Sequence, residues 1–78
     1  MIGLLLVGDK GLNVLREILD LKDDIKFVMS YSDPNTKDNS FTQIKNMCED
    51  NNISFQKGKT ITYDTSDVDN IFVIGWQF

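Results

Sequence analysis

Hydrophobic positions along this chain follow two different rhythms, and the switches between them outline its elements. Ile2-Gly3-Leu4-Leu5-Leu6-Val7 is an unbroken apolar run rather than an alternating one. Such runs mark strands buried on both faces, as in parallel sheets covered by helices. The run ends at Gly8-Asp9-Lys10-Gly11, a turn with two glycines. Leu12, Leu15, Ile18 and Leu19 then recur at helical spacing, with Arg16, Glu17 and Asp20 on the other face. Asp9 is an N-cap candidate for that helix, and Lys22-Asp23-Asp24 closes it.

Ile25–Tyr31 reads as a second strand, followed by the turn cluster Ser32-Asp33-Pro34-Asn35 and a polar loop through Asn39. Phe41, Ile44, Met47 and Cys48 form an i, i+3, i+6, i+7 stripe, which predicts a helix over Ser40–Asp50 capped by Asn39 or Ser40. Asn51-Asn52 suits its exit. Ile53–Phe55 is a short third strand. Residues 56–69 are mostly polar and read as loop, with a single helical turn near Thr65–Asp69. Ile71–Ile74 is the second unbroken apolar run and ends at Gly75-Trp76-Gln77-Phe78.

The resulting order is β-α-β-α-β-loop-β. Strands that alternate with helices imply a parallel sheet with right-handed crossovers. The expected fold is therefore α/β: a Rossmann-like parallel sheet with strand order 3-2-1-4, truncated after the fourth strand. The two unbroken apolar runs are expected at its centre and the short third strand at an edge. The 78 residues, 1–78, are expected to be a single N-terminal portion of such a domain.

Charge and composition narrow the function classes. Ten Asp and two Glu against seven Lys and one Arg give a net charge of −4, with no basic run to neutralise phosphates, so no nucleic-acid partner is expected. Ile2–Val7 is too short to span a bilayer and lacks a basic leader, so no membrane partner is expected either. The single Cys excludes an internal disulfide and fits a reducing, cytoplasmic compartment. Histidine is absent, which removes the commonest general base and metal ligand together. Asp23-Asp24 and the acidic positions of Asp64–Asp69 match no metal-binding spacing, so no metal is expected.

In a sheet of this order the ligand crevice lies beyond the carboxyl ends of strands one and four. Gly8, Asp9, Lys10 and Gly11 meet Gly75–Phe78 there. The first segment either holds an anion on the amides of a helix N-terminus or is a tight turn that merely needs glycine. A dinucleotide fingerprint would place a third glycine where Val14 stands. Asp33 has the spacing of a ribose-binding acid and is equally a turn starter. Trp76 offers a flat surface to a ring-shaped ligand or serves as a core or lid residue. Cys48, on the apolar stripe, reads as a buried structural thiol. No catalytic residue is identified.

Three segments carry a resemblance. They are Leu5-Leu6-Val7-Gly8 with Gly11-Leu12-Asn13-Val14-Leu15; Ile44 with Met47-Cys48-Glu49-Asp50-Asn51-Asn52-Ile53; and Asp69-Asn70-Ile71-Phe72-Val73-Ile74-Gly75-Trp76. In this order the chain resembles the amino-terminal part of the formyltetrahydrofolate-dependent formyltransferases, in particular the sugar N-formyltransferases. The resemblance implies formyltetrahydrofolate as cofactor and a nucleotide-linked amino sugar as substrate, bound in the crevice just described. It places Trp76, Gln77 and Phe78 at the edge of the folate pocket, with Gly8–Gly11 toward the substrate. The family's catalytic Asn, His and Asp fall beyond Phe78, so the chain is expected to be inactive alone. The alternatives are a small binding or oligomerisation module, or a nucleotide-binding half-domain. The apolar strand Ile71–Ile74, left at an edge, is expected to recruit a second copy.

Overall fold

The computed structural model describes residues 1–31, 39–58 and 66–75. Within them β1 (Ile2–Leu6), α1 (Gly8–Glu17), β2 (Ile25–Ser30), α2 (Ser40–Asp50), β3 (Phe55–Lys57) and β4 (Asn70–Ile74) follow in order, and a 3-10 segment, Leu19–Asp24, links α1 to β2. The four strands form one sheet in the order β3-β2-β1-β4, and each adjacent pair is parallel. This is the α/β, Rossmann-like architecture expected from the alternation of periods. The Ser32–Asn35 turn, Asp33, Asp64, and the candidate residues Trp76, Gln77 and Phe78 lie outside the described residues.

Two cores sit on opposite faces of the sheet, as the period-2 geometry of strands requires. On one face, Leu4 and Leu6 of β1 and Val28 of β2 pack with Leu12 and Leu15 of α1, Ile44 and Cys48 of α2, and Ile53. Both helices therefore cover the same face. That is the right-handed result for two crossovers running in the same direction across a sheet. On the other face Leu5, Phe27 and Met29 form a smaller cluster with Val68 against it. Gly3 makes that cluster possible, since a Cβ there would stand 2.5 Å from Cζ of the fully buried Phe27 ring.

The α2 helix occupies the span its stripe predicts. Ile44 and Cys48 are fully buried. Phe41, at the edge of the stripe, meets Phe55 edge-on with ring centroids 5.7 Å apart. The helix ends as expected: Asn52 takes φ 58, the left-handed conformation common just past a helix. The Nδ2 of Asn51 donates to the Met47 carbonyl at 2.8 Å.

Asn39 holds the N-cap position of α2, one of the two expected, without a side-chain cap bond. One expectation needs correction. The third strand is Phe55–Lys57 rather than Ile53–Phe55. Ile53 instead closes the helix, its N–H donating to Cys48 O at 2.8 Å while its side chain enters the core. The order 3-2-1-4 is as expected, and it leaves β4 at an edge: among the described residues it pairs only with β1, and Ile71, Phe72 and Val73 are 38%, 48% and 50% exposed.

Candidate functional site

The crevice at the carboxyl ends of β1 and β4 is built almost entirely from backbone. β1 passes into α1 without a loop. Val7 keeps an extended conformation (φ −138, ψ 141) at the N-cap position, and its side chain supplies no cap bond. Gly8 follows at φ 73, a conformation that favours glycine. The first intrahelical bond runs from Gly11 N–H to Val7 O at 3.4 Å. The amides of Gly8, Asp9 and Lys10 precede it, and such amides are available to a capping group or ligand.

Asp9 is thus in the first turn of α1 and is not its N-cap, correcting the expectation from sequence. Its carboxylate Oδ1 accepts a 2.6 Å hydrogen bond from Ser40 Oγ, at the start of α2. Ser40 is buried and Asp9 exposed. The contact spans 31 positions and ties the first turns of both helices together, and an acidic group there also favours the positive end of the helix dipole. No local sequence signal points to Ser40 as the partner. Lys10 is exposed.

Gly11 and Gly75 have packing reasons to be glycine. A Cβ on Gly11 would lie 2.9–3.1 Å from Leu6, so the glycine lets α1 sit directly on β1. Gly75 adopts φ 79, and a Cβ built on it would stand 2.1 Å from Val7 O. Val7 N–H also donates to Ile74 O at 3.0 Å. The two strand exits therefore touch each other, and the glycines serve that contact first. The structure brings Gly8, Asp9, Gly11 and Gly75 to one end of the sheet, beside Lys10.

Two further features lie near this end or within the core. Ser30, at the carboxyl end of β2, is fully buried and its hydroxyl has no hydrogen-bond partner among the described residues. In the strand register it lies beyond the Leu4–Val28 and Leu5–Met29 pairs, next to Leu6. Burial, with a smaller contribution from the Glu49 charge, pushes the Cys48 thiol up to about 12. A thiol so placed is neutral and inert at physiological pH, in keeping with the structural role expected for it.

Asp67 and Asp69 form ion pairs: Lys26 Nζ lies 2.7 Å from Asp67, and the amino terminus 3.0 Å from Asp69. Among the described residues no group of three or more His, Cys, Asp or Glu side chains could hold a metal ion. No helix is long and apolar enough to cross a membrane among the same residues. Comparison of the chain with protein-family models, curated proteins and solved structures finds no match.

Proposed function

We propose that the chain is a ligand-binding α/β module of the sugar N-formyltransferase type, which holds a sugar nucleotide or a folate at the exits of β1 and β4 and does not transfer a formyl group by itself. The observation that carries this reading is the contact between Gly75 and Val7 O, which brings both strand exits beside the first turn of α1. Amide donors there stand next to the Asp9 carboxylate, an acceptor. Donors and an acceptor side by side suit a ligand bearing hydroxyl or amine groups as well as an anion.

Against the nucleotide-binding half-domain, Val14 stands where a dinucleotide fingerprint requires glycine. Formyltetrahydrofolate is implied by the sequence resemblance. The described residues fit it only in offering backbone donors, and the resemblance puts Trp76, Gln77 and Phe78 at the edge of its pocket. Formyl transfer needs a base for the amine and a donor for the developing oxyanion. The chain contains no histidine, and the sequence identifies neither group.

Calorimetric titration of the chain with 5-formyltetrahydrofolate, a sugar nucleotide and a dinucleotide tests the reading. Saturable binding of either of the first two, without formyl transfer to an amino sugar, is the expected outcome. Preference for the dinucleotide would favour the half-domain. Failure of all three to bind would leave the interaction module, which the exposed β4 strand favours.

A further inference from the structure

We draw no further inference here: the strongest candidate, the buried Ser30 hydroxyl at the carboxyl end of β2, which has no hydrogen-bond partner among the described residues, belongs to the site already described.

Discussion

Replacing Gly75 by Ala loads the junction between the two strand exits, and the structure sets the size of the response. Two penalties add. An L-residue at φ 79 loses about 1 kcal/mol relative to glycine. The new Cβ would also stand 2.1 Å from Val7 O, more than 1 Å inside ordinary contact. Val7 cannot readily retreat, because its N–H is bonded to Ile74 O and its carbonyl accepts from Gly11 N–H. Relieving such an overlap by backbone movement costs about 1–3 kcal/mol. The sum, about 2–4 kcal/mol, is a large share of the roughly 4–12 kcal/mol expected for 78 residues. It corresponds to a fall in Tm of roughly 10–25 °C for a domain of this size. Thermal unfolding followed by circular dichroism measures it. A Tm within about 3 °C of the parent would refute the claim that the exits of β1 and β4 are held against each other.

Other perturbations test separate links. Gly3→Ala should destabilise by about 1–3 kcal/mol in urea unfolding, and Phe27→Leu in the same chain should restore part of that loss, since the clash is with the ring; additive losses would contradict the contact. The buried thiol of Cys48, raised from an ordinary 9.0 to about 12, stays protonated in the folded chain after the unfolded chain has released its proton. Stability contributed by this group is therefore complete below pH 9 and falls by up to about 1.4 kcal/mol per pH unit between pH 9 and 12. Comparing the pH dependence of unfolding with that of Cys48→Ala isolates this slope, and identical profiles would contradict it. Ser40→Ala removes the donor to Asp9 and should lower stability by about 1 kcal/mol, whereas Asp9→Asn, which keeps an acceptor, should lower it less.

Much of the architecture was legible because local and global signals agree. The α2 stripe, its polar flanks and the Asn51-Asn52 exit all specify one helix, and the structure places it where they do. The apolar run of β1 is buried on both faces, as such a run implies. The same kind of run stands at the edge in β4, where the order 3-2-1-4 puts it, because apolar sequence records a preference for burial and not the presence of a neighbour. Ile53 misled for a related reason: a buried β-branched residue looks like a strand whether it pairs in a ladder or plugs a helix end.

At the candidate site the sequence revealed which turns converge, since topology dictates that. It did not reveal why the glycines are there. Their close neighbours, Leu6 for Gly11 and Val7 O for Gly75, are known only once the strands are paired. The Asp9–Ser40 bond was hidden likewise, because its partners begin two different helices. Both residues look like caps in sequence, yet neither holds the N-cap position of its helix.

The most direct test of the proposed ligand site is an amide chemical-shift titration of the 78-residue chain with 5-formyltetrahydrofolate and with a sugar nucleotide. The account predicts saturable shifts for one of them, concentrated on the amides of Gly8, Asp9, Lys10, Gly11 and Gly75. Shifts confined to the groove between Leu19 and Met47, or no saturable shift with either ligand, would contradict it.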